Sequence, residues 1–585
     1  MKQTLLLCIT LVSFSLLFGQ QEWQTPFEKS KGKATATYSE AIAWYQQLAQ
    51  SSEQISVLEY GLTDVGKALN LVVISKDGFS DPQEIRRRGK RILLINNAIH
   101  PGEPCGVDAC MMLARDLVQD SEKNQLLDKV AIAIIPIYNI GGALNRDPYS
   151  RTNQEGPESY GFRGNARNYD LNRDFIKTDT RNAKSFTEIF QAWLPDVFID
   201  THTTNGADYP AVLTYIETQP DKVHPAIAHF MQEQMLPALE AHMQADSKEM
   251  CRYVYSRNTP DEGIAAFLDL PRYSSGYAAL FQTMSFITEA HMLKPFPERV
   301  AATYSFIEGM LHFMAQNAVA IGEAIDKARE AVAKQQDFDL AWTIDTDNVE
   351  TLNFHAYTAA YKKSEVSGAE RLYYDQEKDY YKDIPWFAHY KATEQVSKPR
   401  AYIVPQAQWP ALERLNWNQV KMYTLTEDIV LEVEVYYIRE LESSKQSYEG
   451  HFMHQKFKLE AQTQEIAFYA GDKVIFTNQW RNPYLVHVLE PKAQDAFFRW
   501  NFFDGVLMQK EYFSSYVFED EAAQMLREDA ELKAAFEQKK KEDAAFAESP
   551  RAQLNYLYLR SPHYEKTHQR YPIFRWHQTD TLPLK

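Results

Sequence analysis

Ile92-Leu93-Leu94-Ile95 leads into His100-Pro101-Gly102-Glu103, and Val197-Phe198-Ile199-Asp200-Thr201-His202 repeats the pattern: an apolar run closed by a histidine. A run apolar on both faces belongs in the middle of a sheet that is covered on both sides. Working outward, residues 55–60, 69–75, 130–137, 211–216 and 284–288 read as further strands, and 107–118 reads as a helix between two of them. A long helix is expected over about 298–334. Thr37 and Glu40 stand in capping-box spacing ahead of Ala41, Trp44 and Leu48, which starts an amphipathic helix. Strands alternating with helices predict an α/β domain.

Past residue 336 the chain becomes rich in tyrosine and alternates, as in Val430-Leu431-Glu432-Val433-Glu434-Val435, the pattern of half-buried antiparallel strands. The expected division is an export signal over 1–20, an α/β unit over 21–336 and a β-rich accessory region over 337–585. Within the last, the charged run 519–547 reads as a solvated surface helix.

The chain of 585 residues, 45% of them hydrophobic, is globular and too long for a single core. With 62 Lys and Arg against 79 Asp and Glu, the net charge is −17, which argues against generic binding to nucleic acid or an anionic membrane. Lys2 followed by the apolar run Leu5 to Phe18 and Gly19-Gln20-Gln21 has the form of a cleaved signal, too short to span a bilayer. A soluble periplasmic or extracellular protein is therefore expected, with Gln20 or Gln21 first and no transmembrane segment. Of the four cysteines, Cys8 falls in the signal. The other three, Cys105, Cys110 and Cys251, are an odd number and read as packing residues.

His100, Glu103 and His202 can supply a His₂Glu set with a fourth position open to water, because strand ends of one sheet converge at one edge. The bland reading is a polar turn and a hydrogen-bonded histidine. Between them lies Arg163-Gly164-Asn165-Ala166-Arg167-Asn168-Tyr169-Asp170-Leu171-Asn172-Arg173-Asp174-Phe175, whose arginines suit fork-like recognition of a carboxylate, or else pair with Asp170 and Asp174 on a surface loop. Phe286-Ile287-Thr288-Glu289 ends an apolar strand in a carboxylate, either a capped strand end or a base.

These four pieces, in this order, resemble the zinc metallocarboxypeptidase family of the carboxypeptidase A/B type over roughly residues 35–320. Gly61-Leu62-Thr63-Asp64-Val65-Gly66-Lys67 is similar to a further, degraded family stretch. The resemblance implies a mixed twisted sheet flanked by helices and one zinc per chain held by His100, Glu103 and His202. It also implies Asp170 as the partner of a zinc histidine, Asn172 and Arg173 on the substrate's terminal carboxylate, Arg163 on the scissile carbonyl, and Glu289 as general base and acid. The family's mobile tyrosine lies eighteen to twenty-two residues before the glutamate, a window without tyrosine here; Tyr273 and Tyr277 are the nearest substrate-binding candidates, and Arg272 is a candidate lining residue.

The function expected is an exported zinc carboxypeptidase acting on a peptide or muropeptide. The rivals are a zinc amide deacylase of the aspartoacylase type and a catalytically silent module that binds peptide termini.

Overall fold

The computed structural model describes residues 23–256 and 258–585, so the export-signal run and Cys8 lie outside the described residues. Strands β1 (Ile55–Leu62), β2 (Ala68–Ile74), β3 (Arg91–Asn96), β4 (Val130–Ile135), β5 (Val197–Thr204), β6 (Leu213–Glu217), β7 (Met250–Arg252) and β8 (Met284–His291) form one eight-stranded sheet in the order β1-β2-β4-β3-β5-β8-β6-β7. β3 runs parallel to β4 and β5, β5 to β8, and β6 to β7. The contacts β1/β2, β2/β4 and β6/β8 are antiparallel. The sheet is mixed, as expected.

Helices α1 (Tyr38–Ser51), α2 (Cys105–Gln119), α3 (Arg181–Trp193), α4 (Phe296–Gln316) and α5 (Ala318–Lys334) cover it. Alternation along a strand sends successive side chains to opposite faces. Leu93 and Ile95 accordingly enter one apolar core with α1, α2 and α4, whereas Ile92 and Leu94 enter the other with α3. α2 approaches β5 so closely that a Cβ on Gly106 would strike Thr201 and Asn97, which fixes glycine there. Chain order places β4 and β5 on opposite sides of β3, so the crevice beyond the carboxyl ends of β3 and β5 is a topological switch point, where ligands bind in open α/β sheets.

The single helix expected over 298–334 is two. Asn317 leaves the helical region at φ −114°, and its side chain takes the Phe313 carbonyl at 2.9 Å, so it ends α4 where α5 begins. The surface helix expected over 519–547 is likewise broken. Asp529 and Asp543 each cap a new helix, and Phe518, Phe536, Phe546 and Tyr558 form a small apolar cluster beneath.

The second region is β-rich. β9 (Asp337–Ile344) pairs with β12 (Tyr390–Ser397), and β10 (Glu350–Lys363) with β11 (Glu370–Phe387). β13 (Ala401–Val404), β14 (Tyr423–Thr424), β15 (Ile429–Ser443), β16 (His454–Phe468), β17 (Lys473–Phe476) and β18 (Phe574–Trp576) make a six-stranded sheet. Leu431, Val433 and Val435 are buried while Glu432 is exposed, the alternation read from sequence. Near its end the β15–β16 ribbon is bulged, with Glu440 at φ 51° and a shifted register between Arg439 and Ser443.

This region is no separate appendage. Tyr402, Tyr484, Leu485 and Trp500 share one apolar core with Phe186, Phe190, Tyr277 and Phe281 of the α/β unit, and the Phe281 and Tyr484 rings stack at 5.4 Å. Cys105, Cys110 and Cys251 are unpaired. No helix among the described residues is long and apolar enough to cross a membrane.

Because the core is shared, Leu485→Ala should destabilise both parts by about 2–5 kcal/mol. Urea unfolding followed by fluorescence and by circular dichroism should show one transition, displaced as a whole. Two transitions with only one displaced would mean separate cores.

Candidate metal centre

After β3 the chain turns sharply: Ala98 sits at φ 56°, held by bonds from Tyr138 N to Asn97 O and from Asn139 N to Ala98 O. Non-glycine residues occupy that region at a cost, and tend to do so at functional sites. The turn presents His100 and Glu103 just before α2. His202 comes from β5 beside them, and the ligand atoms of the three lie within 4.8 Å of one another.

His100 Nδ1 and His202 Nδ1 each lie 3.0 Å from a Glu103 oxygen. Donors each about 2 Å from one ion stand roughly 3–3.5 Å apart, a spacing both histidines keep from Glu103, and two imidazole nitrogens with a carboxylate oxygen are a donor set that zinc takes. The outer nitrogens are fixed by carboxylates: His100 Nε2 by Asp170 Oδ1 at 2.9 Å and His202 Nε2 by Asp200 Oδ2 at 2.9 Å. Such partners set the tautomer and aim the inner nitrogen at the metal.

All of these groups are buried or nearly so, and their charges are arranged to offset that burial. Burial pushes the Glu103 carboxyl up, but His100 and Arg151, whose Nη2 donates to Glu103 Oε1 at 2.6 Å, outweigh it and hold the group well below the usual range. Burial would lower His202, yet Asp200 and Glu103 keep it well above its ordinary value. Asp170, also against burial, is held low by His100, Arg163 and Arg173. Glu289 is different. On β8, directly opposite His202, it is raised to about 8, by burial first and then by the charges of Glu103 and Asp200, against the pull of His202.

The arginine-rich segment wraps the open side. Asn165 Oδ1 accepts from the backbone of Arg167 and Tyr169, which shapes the loop. Arg163 donates twice to Asp170 Oδ2, at 3.0 and 2.8 Å, leaving Nη1 3.7 Å from Glu103. Arg167 turns away to the Asp179 carbonyl. Asn172 is buried with Oδ1 unpartnered, and Arg173 lies 4.7 Å over the Tyr273 ring. Beyond it, the fully buried Lys177 bridges Asp174 and Asp179 at 2.8 Å each and locks the turn.

His100, Glu103, Arg163, Asn172, Arg173, His202, Tyr273 and Glu289 all line one cavity of about 220 Å³. Tyr277 does not join them. It sits in the following helix, faces the aromatic core, and donates to Asn418 at 2.5 Å, so its assignment to substrate is corrected. Arg272 also faces away, pairing with buried Asp495 at 2.7 Å.

Sequence reasoning missed Asp200, Arg151, Tyr253 and Phe267, the last three of which also line the cavity. Asp200 carried a signal, for it stands two residues before His202 on one strand face. The others had none, because only folding brings their loops to the site.

Residues 41–258 match the family model described as zinc carboxypeptidase. Glu289 and Tyr273 lie beyond the matched range. The chain is 23% identical over 176 residues to Carboxypeptidase 2 of Trichophyton rubrum, covering 30% of each protein. It is 26% identical over 129 residues to Carboxypeptidase 2 of Trichophyton tonsurans, covering 22% of this chain and 20% of that one. The chain thus spans under a third of the length of these curated relatives. Among solved structures, a metallo-carboxypeptidase from Burkholderia cenocepacia aligns at 18% identity and a TM-score of 0.36, over 47% of this chain and 68% of that one. One from Pseudomonas aeruginosa, in complex with (2-guanidinoethylmercapto)succinic acid, aligns at 16% and 0.36, over 48% and 68%.

His202→Ala removes one of three ligands and should abolish stoichiometric zinc, as read by elemental analysis of the dialysed protein. Wild-type zinc content in that variant would refute the assignment.

Proposed function

We propose that this chain, which carries a zinc carboxypeptidase domain over residues 41–258, is an exported hydrolase. It cleaves a peptide or peptide-like bond next to a free C-terminal carboxylate and uses one zinc per chain. The observation that carries this reading is the meeting, in one cavity, of a metal-ligand set, an arginine–asparagine pair and a carboxylate of raised pKa.

His100, Glu103 and His202 would hold the zinc, which when bound supplies Lewis-acid polarisation. The remaining work falls to the chain's own groups. The Arg173 guanidinium binds both oxygens of the terminal carboxylate, and Asn172, which lines the same cavity, donates a further bond through its side-chain N–H. That pair fixes the register, so the last peptide bond is the one presented. Arg163, oriented by Asp170, directs Nη1 toward the ligand cluster and stabilises charge developing on the carbonyl oxygen. Glu289, on β8 beside His202, takes a proton from the attacking water and delivers it to the leaving amine. The form to assay is the mature protein, recovered outside the cytoplasm with Gln20 or Gln21 first.

Glu289→Gln should retain zinc and the folded state while losing about two to four orders of magnitude in kcat. Near-normal turnover would make Glu289 a strand-end carboxylate without a chemical role. Amidating the C-terminus of a good peptide substrate removes the charge that Arg173 needs, so kcat/KM should fall by about two orders of magnitude or more. Equal cleavage of free and amidated peptides, followed by mass spectrometry, would overturn recognition of the terminus.

A further inference from the structure

The β15–β16 ribbon of the second region ends in the turn Tyr448-Glu449-Gly450-His451, closed by reciprocal backbone bonds between Tyr448 and His451 at 2.8 and 3.0 Å. Both central residues have positive φ, 48° at Glu449 and 82° at Gly450, the geometry of a tight two-residue hairpin turn. Glycine is the usual occupant of such positions; a glutamate there is uncommon and carries a local cost.

The tip is not free: Gly450 stays exposed, but Tyr448, Glu449 and His451 are part-buried. It lies on the segment that binds the substrate's terminus. Glu449 Oε2 accepts the backbone N–H of Asp170 at 2.9 Å. Gly450 abuts Tyr169 so closely that a Cβ would come within 2.5 Å of its hydroxyl oxygen. His451 Nε2 lies 2.7 Å from Asp179 Oδ2, at the far end of the same segment. Tyr448 stacks on Trp500, with the Arg272 guanidinium over its ring at 5.5 Å.

Asp170 is the residue on which the site's geometry turns, since one oxygen fixes His100 and the other holds Arg163. Its carboxylate can be aimed only if its backbone is. Neither sheet nor helix supplies a partner for that N–H; the second region does.

We propose that Glu449 is a positioning residue of the catalytic site: from the second region it fixes the Asp170 backbone, and through it Arg163 and the neighbouring Asn172-Arg173 carboxylate site. This rests on the carboxypeptidase reading above, and it makes the second region a structural part of the active site. The energetic basis is that a charge-assisted hydrogen bond to a part-buried N–H is stronger than a neutral one, and that removing the acceptor leaves the donor unsatisfied.

The test uses the full-length, zinc-loaded protein. Glu449→Asp keeps the charge, and aspartate tolerates positive φ, but the shorter side chain withdraws the acceptor by one methylene. Glu449→Ala removes it, Glu449→Gln retains an acceptor oxygen, and Lys445→Ala, an exposed change in the same loop, is the control. In the Asp and Ala variants, hydrogen exchange over residues 165–179 should accelerate. KM for a free-carboxylate peptide should rise about tenfold, the preference over the amidated peptide should shrink by a similar factor, and zinc content should be unchanged. Glu449→Gln should restore most of the preference, and Lys445→Ala should match wild type. Unchanged exchange across 165–179, or an active Glu449→Ala enzyme with wild-type KM and wild-type preference, overturns the inference. A wild-type protein that cleaves no peptide refutes the proposed hydrolysis instead, and the exchange measurement then decides the role of Glu449 by itself.

Discussion

Three parallel strands, β3, β5 and β8, are paired in a register that sets Asn96 opposite Asp200 and His202 opposite Glu289. The groups that these strands carry or present, His100, Glu103, Asp200, His202 and Glu289, depend on this constraint. A slip of one residue in β5 would turn His202 and Asp200 to the other face and leave Val197, Ile199 and Thr201 in their place. The register is enforced from both sides of the sheet, because β3 and β5 bury apolar side chains in two cores at once, while β8 adds Met284, Phe286 and Ala290 to one of them. A strand anchored in two cores cannot move without emptying one and overfilling the other.

Placing so many charges out of water is costly, and the arrangement of signs explains how it is sustained. Carboxylates alternate with nitrogen-bearing groups along Asp200, His202, Glu103 and Arg151, and again along Arg163, Asp170 and His100. Buried pairs of this kind add little net stability compared with apolar packing, but removing one member strands its partner. What such a network contributes is geometry. Glu289 is set apart because burial, reinforced by the charges of Glu103 and Asp200, pushes its carboxyl up, whereas Glu103 and Asp170 are held down.

The parts legible in the sequence were those encoded locally. The apolar runs ending at His100, His202 and Glu289 announced strands and a shared edge, and the arginine-rich segment announced a cluster of cations, of which Arg163 and Arg173 line the same cavity as those strand ends. Tyr273 and Tyr277, four residues apart, looked equivalent. The chain between them changes from extended to helical, so one ring faces the cavity and the other the core. The break at Asn317 was hidden because apolar periodicity continues across it, while a side-chain bond to a carbonyl decides the outcome. Arg151 and Glu449 could not be found at all, since their roles depend on contacts 48 and 279 residues away in sequence.

A hairpin that must touch a distant surface is also a ruler. Exposed ribbon tips usually tolerate insertion and deletion, since nothing measures their length. Here the distance from the bulge at Glu440 to the turn at Glu449 is fixed by what the turn must reach. Dropping two residues from each arm would pull the tip back by about 7 Å, and dropping one would rotate its side chains to the opposite face. The bulge adds a second condition, because it bends the ribbon and so sets the direction in which that length is spent. In divergent copies of this architecture the loop between β15 and β16 should therefore vary in composition at Ser444 to Ser447 while its residue count holds constant, the reverse of how surface loops ordinarily drift.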